Sequence, residues 1–285
     1  MLGQDLTPQL RFDSIEDNQT RLRVVRDGVW TDLIDIPINN IFYVLEVTPD
    51  SRFALAISAR ERSTAALVRV NLTDCSEQII HAKADKDLSD LINFNRFDGV
   101  IDMILLHFGD QAPIGLSKAG KTLASLISEQ GQPVSIDNLS WAGNRGIVTA
   151  ALSLDAKGYS YYLFDLTAST TTKLGDFYFQ QKHGDRLVTK DAVHITAHDG
   201  MQLNALVLRP KGVDGSVPMV VEVHGGPAHH VEWEYNHFRQ FLVNRNYSVL
   251  ALNFRGSDGL GKAYQAAGFG EYDRKMQDDM VDTTN

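Results

Sequence analysis

Met219-Val220-Val221-Glu222-Val223-His224-Gly225-Gly226-Pro227 is the stretch on which the fold turns. It is apolar on nearly every position up to Val223. That reads as a buried strand of a parallel sheet rather than the alternation of a half-exposed one. Two glycines and a proline then end the strand, and glycine lets a chain turn close to a substrate without a side chain in the way. On the N-terminal side, Val193-His194-Ile195-Thr196 and Leu203 to Leu208 flank Asp199-Gly200, a hairpin signal closed by Pro210-Lys211-Gly212. On the C-terminal side, Phe238, Phe241 and Leu242 give residues 233–244 helical spacing, and 248–254 reads as a second buried strand. Residues 264–284 are amphipathic, acidic and read as mostly helical. Strand, helix, strand, helix predicts a parallel α/β sheet with right-handed crossovers.

The chain before this region has another texture. Short β-branched and aromatic runs recur between turn residues: Leu22–Val25 before Asp27-Gly28, Phe53–Ser58, Ala65–Leu72 before Thr73-Asp74, Val100–Phe108 before Gly109-Asp110, Ile147–Leu154, and Tyr159–Leu166 after Asp155–Gly158. Val70-Asn71-Leu72-Thr73-Asp74 is echoed by Phe164-Asp165-Leu166-Thr167-Ala168, with residues 70 and 164 standing 94 apart. Two propeller blades of about 40–50 residues each would give that spacing. The fold expected is a partial, all-β propeller over 1–185, of four blades at most, followed by an α/β segment over 186–285.

Composition narrows the function. The 285 residues carry 27 Lys and Arg against 36 Asp and Glu, a net charge of −9 with no basic block. Nucleic acid and anionic membrane are therefore not expected partners. The single cysteine, Cys75, excludes an intramolecular disulfide. Together with the polar opening Met1-Leu2-Gly3-Gln4-Asp5 and the lack of any run near the ~18 residues of a membrane span, it suggests a cytoplasmic protein. A homo-oligomer stays open.

The loop after Val223 carries the chemistry. His-Gly-Gly after the third strand is where an α/β-hydrolase presents a backbone N–H to the oxyanion of acyl transfer. After the next strand comes Asn253-Phe254-Arg255-Gly256-Ser257-Asp258-Gly259-Leu260-Gly261, then Gly268-Phe269-Gly270-Glu271-Tyr272, then Met276-Gln277-Asp278-Asp279-Met280-Val281-Asp282. In this order, over about residues 190–285, the sequence resembles the prolyl oligopeptidase family of serine peptidases, especially its acylaminoacyl-peptidase and dipeptidyl-peptidase-like branch. Tyr272 stands where that family often has tryptophan.

The resemblance implies an α/β-hydrolase peptidase segment acting on a peptide substrate through a serine ester, without cofactor. It implies that the Gly226 amide, or that of Gly225 beside it, is an oxyanion donor. His224 and Pro227 would shape that loop, and Asn253 and Arg255 would support the neighbouring one. Asp278, Asp279 and Asp282 are expected on a solvated helix face. The family's Gly-x-Ser-x-Gly elbow, acid and histidine would follow the Gln-Asp-Asp helix, and no Gly-x-Ser-x-Gly occurs in these 285 residues. None of the catalytic triad is thus assigned, and the chain by itself is expected to be inactive, with Val220, Val221 and Val223 on a bare, aggregation-prone edge.

Two rival readings fit parts of the sequence. One is a non-catalytic, propeller-type binding protein with a vestigial hydrolase segment. The other is a nucleotide-binding protein, because Gly115-Leu116-Ser117-Lys118-Ala119-Gly120-Lys121-Thr122 fits the phosphate-loop pattern, with Tyr161–Asp165 posing as its magnesium-holding strand. The flanking residues favour a hairpin turn there. His229 and His230 suggest zinc, but adjacent histidines seldom share a metal, and no third ligand stands at suitable spacing, so no metal is expected. Trp30, Trp141 and Trp233 read as packing residues.

Overall fold

The computed structural model describes residues 7–38, 40–48, 50–95, 100–106, 113–131, 134–142, 146–154, 158–177 and 184–284. The predicted turns at Gly109-Asp110 and Asp155–Lys157, and the run Gln111-Ala112, lie outside them.

Four antiparallel sheets come first, each a meander in sequence order. They hold β1 (Leu10–Ile15), β2 (Gln19–Arg26) and β3 (Val29–Ile36); β4 (Phe42–Val47), β5 (Phe53–Ser58), β6 (Ala66–Asn71) and β7 (Glu77–His81); β8 (Leu88–Asn95), β9 (Val100–Leu106) and β10 (Ile114–Gly115); and β11 (Val134–Trp141), β12 (Ile147–Leu154), β13 (Gly158–Asp165) and β14 (Thr170–Asp176). Each sheet buries its apolar face against the next. Leu10, Leu22 and Ile36 of the first pack with Ala54, Val68 and Val70 of the second. Leu55, Ile57 and Leu67 pack with Ile101 and Ile104 of the third. Met103 then joins Val148, Leu152 and Phe164 of the fourth. This face-to-face sequence is propeller-like, because no sheet hides its apolar face alone.

The internal echo has a structural cause. Both copies leave the third strand of a four-stranded sheet, β6 or β13, and enter an Asx turn. Asn71 Oδ1 accepts from Thr73 N at 2.8 Å, and Asp165 Oδ1 accepts from Thr167 N at 2.9 Å.

One expectation fails here. Ser117–Lys121, read as a hairpin turn, instead opens helix α1 (Lys118–Ser128), capped by Ser117 Oγ accepting from Gly120 N at 2.9 Å. Leu123, Ala124, Leu126 and Ile127 bury one face against the third and fourth sheets. That 3–4 spacing is the helical signal, outweighed in the sequence by the glycines and Pro133 around it.

The last sheet runs β15 (Lys190–Thr196), β16 (Gln202–Leu208), β18 (Ser248–Asn253), β17 (Met219–Val223). It is mixed rather than wholly parallel. β15, β16 and β18 pair antiparallel, and only β17 and β18 run parallel, with helix α2 (His237–Val243) between them in the chain. The antiparallel part follows from the tight turn at Gly200, whose φ of 90° suits glycine. The expectation of a buried strand at 219–223 needs correcting. Among the described residues β17 pairs with β18 alone, and Met219 and Val223 are 41% and 45% exposed. The strand buried throughout is β18, five of whose six residues are buried. The region 264–284 holds two short helices, α3 (Lys262–Ala266) and α4 (Lys275–Asp282), joined by turns.

Candidate active-site loop

Two loops leave the same end of the parallel pair: 224–236 from β17 and 254–261 from β18. Glu222 anchors the first, because Arg239 of α2 grips its carboxylate with Nε at 2.7 Å and Nη2 at 3.0 Å. That ion pair fixes helix against strand at the base of the loop, and its two-pronged geometry restricts orientation as well as distance.

The chain then turns at His224-Gly225-Gly226-Pro227. Gly226 has φ +127°, and a β-carbon there would meet Ala228 N at 3.0 Å and His229 Cβ at 3.1 Å. Glycine is required on both counts. At Gly225 a β-carbon would meet nothing within 4 Å. Both glycines are exposed, and among the described residues neither N–H is engaged. Two solvent-facing amides on a fixed turn at a strand end can donate to a small anionic oxygen.

His224 is held on three sides. Its ring stacks on Phe254 with centroids 4.6 Å apart, Nδ1 lies 2.9 Å from Gly225 O, and Nε2 lies 2.8 Å from Ser257 Oγ. Burial pushes the imidazole below its ordinary range, so the ring is neutral at neutral pH. Gly225 O faces Nδ1, and the Ser257 hydroxyl faces Nε2. That hydroxyl donates its one proton to Phe254 O at 2.7 Å. This is a serine–histidine pair, but Ser257 is wholly buried and among the described residues no carboxylate backs the ring, so it has the contacts of a brace and not of a nucleophile.

The second loop is tied to the first. Val231 N donates to Asn253 Oδ1 at 2.6 Å, and Asp258 N to His229 O at 3.1 Å. Arg255 points away from the glycines. Its guanidinium and backbone N–H meet the Asp279 carboxylate, with Nη2 at 2.6 Å, while Nη1 and Nη2 reach Asp199 at 2.8 and 3.1 Å. The two carboxylates hold the guanidinium above its usual range, and the guanidinium holds Asp199 well below the carboxylate range. Asp279 therefore does not lie on a solvated helix face: it is fully buried and paired. Asp278 is exposed as expected, and Asp282 accepts from His198, with Nδ1 at 2.8 Å.

Asp87 carries no motif that would single it out in the sequence. It is 3% exposed, and its carboxylate accepts from Ala65 N in its own sheet region and from Gly261 N, 174 residues away. Lys262 N donates to Ser63 O beside it. The second loop is thus pinned to the β4–β7 sheet. A lone buried aspartate has no sequence signature, and only the fold reveals its partner. The zinc argument also changes. His230 Nδ1 lies 2.6 Å from Asp258 Oδ1, and the ligand atoms of His229, His230 and Asp258 all lie within 4.8 Å of one another. Asp258, a candidate third donor, comes from the other loop rather than from nearby sequence.

The phosphate-loop pattern has a packing origin. β10 is a two-residue strand antiparallel to β9, not a buried parallel strand. The amides that would cradle phosphate are used: Leu116 N and Ser117 N donate to Asp102 O, and Gly120 N donates to Ser117 Oγ. A β-carbon on Gly120 would meet Asp102 O at 1.7 Å, and one on Gly115 would meet Lys121 N at 2.4 Å. The glycines admit close backbone contact and leave no space for an anion.

No family model matches the sequence. The chain is 29% identical over 272 residues to dipeptidyl aminopeptidase BIII of Pseudoxanthomonas mexicana, a match covering 92% of this chain and 39% of that protein. It is 32% identical over 170 residues to dipeptidyl peptidase family member 6 of Caenorhabditis elegans, covering 52% of this chain and 22% of the relative. Among solved structures, a puromycin hydrolase superposes with a TM-score of 0.72 at 16% identity, over 99% of this chain and 45% of that one. The chain thus spans less than half the length of the relatives it matches. No helix among the described residues is long and apolar enough to cross a membrane.

Proposed function

From the likeness of this chain to serine peptidases of the prolyl oligopeptidase family, we propose that it supplies propeller blades and one half of the oxyanion hole of a serine peptidase acting on short peptides or acyl-peptides. In this reading the chain divides near residue 185. The part beyond it is the opening of an α/β-hydrolase sheet, whose β15-β16-β18-β17 order, antiparallel strand and α2 crossover suit that fold.

The observation that carries the reading is the pair of exposed, unengaged amides at Gly225 and Gly226, at the end of a strand that runs parallel to its neighbour. In acyl transfer a serine hydroxyl adds to the peptide carbonyl, and the carbonyl oxygen gains negative charge. The Gly226 N–H, fixed by its turn, donates to that oxygen more strongly in the transition state than to the neutral carbonyl. His224, neutral and half-buried, keeps the turn in place without competing for substrate protons. The nucleophile, acid and base are not assigned to residues of this chain, and the 285 residues alone are expected not to turn over peptide.

The test uses peptide hydrolysis by the peptidase that carries this segment. Gly226→Ala forces the strained turn to open and should lower kcat by roughly 100-fold or more, the usual cost of one lost oxyanion donor, with KM little changed. Gly225→Ala, with open space for its methyl, should cost far less. Equal rates for Gly226→Ala and the parent would refute the assignment.

A further inference from the structure

We infer that His229, His230 and Asp258 form a site for one divalent transition-metal ion of the zinc, nickel or cobalt class, placed where the two loops meet. Adjacent side chains in an extended segment point to opposite sides and cannot share an ion. Here the chain bends after Pro227, with His229 N donating back to Pro227 O at 2.8 Å, and the two imidazole rings stand 5.5 Å apart at 57°. The bend brings the ligand atoms of both, and of Asp258 from the other loop, within 4.8 Å of one another. Asp258 is held in place by its backbone N–H on His229 O at 3.1 Å.

The donor set selects the ion. Two imidazoles and one carboxylate suit zinc and its neighbours, whereas magnesium and calcium take oxygen ligands. Bonds of about 2.0–2.1 Å require the three atoms to draw in by roughly an ångström. His229 is exposed and free to rotate that far. Three protein ligands leave a further position for water. Asp87, buried beside the second loop, is not a further ligand. Its own oxygens are committed to Ala65 N and Gly261 N. A bound ion would replace the His230–Asp258 hydrogen bond and join loop 224–236 to loop 254–261. The inference concerns binding and loop order, and stands whether or not Gly226 is an oxyanion donor.

The experiment is a Zn²⁺ titration by calorimetry, with Co²⁺ as a spectroscopic probe, on the purified protein and on His229→Ala, His230→Ala and Asp258→Asn, with His198→Ala as the control for a surface histidine. One equivalent of Zn²⁺ should bind, and each of the three site variants should weaken binding by roughly tenfold or more. The control should bind as the parent does. Co²⁺ should show the intense visible bands of a low-coordinate site, and hydrogen exchange at Gly225 and Gly226 should slow when the metal is bound. Because His229 is exposed, His229→Ala keeps the fold, and its unfolding midpoint checks that it has. Binding unchanged in His229→Ala, or a Co²⁺ spectrum of the fully hydrated ion, would overturn the inference.

Discussion

Replacing Asp279 by alanine tests whether the Gln-Asp-Asp helix is a solvated surface or a clamp. Asp279 is 0% exposed and takes the backbone N–H, Nε and Nη2 of Arg255, itself 3% exposed. Truncation leaves a buried guanidinium with only Asp199, whose side chain is 25% exposed. Removing one partner of a buried pair costs roughly 3–5 kcal/mol, because the surviving charge stays desolvated. The retained Asp199 contacts place Asp279→Ala toward the lower end of that range. Asp199→Ala, which leaves the buried pair intact, should cost about 1.5–3 kcal/mol for its hydrogen bonds to a charged group. Asp278→Ala, one residue away and exposed, should stay within about 0.5 kcal/mol. Urea unfolding at constant m-value reads all three as midpoint shifts. The joint change Arg255→Met with Asp279→Leu separates the cost of a stranded charge from the worth of the pair, and it should recover much of the loss. An Asp279→Ala protein as stable as Asp278→Ala would refute the reasoning.

Three further outcomes follow from the same geometry. By imidazole NMR, His224 should titrate below the usual range because it is buried, and His198 above it because Asp282 stabilises its charged form. A raised imidazole value means that the His198 contribution is complete below the unfolded pKa and is lost as pH rises through the folded one. The depressed carboxylate of Asp282 makes its share present above the unfolded carboxylate value and lost as pH falls through the folded one. His224 works in the opposite sense to His198: stability is intact above the unfolded imidazole value and declines as pH falls through it. The reverse order of the two histidines would sink this account. Gly120→Ala should destabilise severely, because the added methyl meets Asp102 O, while Lys121→Ala should leave stability unchanged and neither it nor the parent should bind ATP; saturable ATP binding lost in Lys121→Ala would restore the phosphate-loop reading. Asp87→Asn should cost about 1–3 kcal/mol, since an amide offers one acceptor oxygen where two backbone N–H groups need two, and unfolding midpoints would show it.

How much of this was legible in the sequence depends on the range of the interaction. Strands β5, β12 and β17 were readable because a run of β-branched and small apolar residues is a local signal, and so was the Gly200 turn. The 94-residue echo was readable because equivalent turns need the same Asx residue. Helix α1 was not, because Gly120 breaks its local propensity and only packing on Asp102 explains the glycine. The edge position of β17 came from the resemblance and not from the strand itself, because an apolar strand looks alike whether one neighbour or two cover it. At the site, His224-Gly225-Gly226-Pro227 announced a turn, and Asn253 and Arg255 were picked out by resemblance. The burial of Asp279, the reach of Asp87 and the meeting of Asp258 with His229 and His230 join residues 22 to 174 positions apart or come from separate loops, and local pattern cannot encode them.

A backbone donor is useful only if its direction is fixed, and no side chain of its own can fix it. Around Gly226 the fixing is done by the adjoining loop. Val231 N on Asn253 Oδ1, Asp258 N on His229 O, and His224 on Ser257 and Phe254 all tie residues 224–231 to residues 253–258. That second loop is gripped on one side by Arg255 between Asp199 and Asp279, and on the other by Asp87 and Ser63 on Gly261 and Lys262. Productive geometry tolerates displacements of only about 0.5 Å. If Gly226 is the donor we propose, its aim is therefore set jointly by the last sheet and by the β4–β7 sheet. A substitution as remote as Asp87→Asn should then lower kcat more than it raises KM, since it leaves every substrate-facing group chemically intact and disturbs only where the amide points.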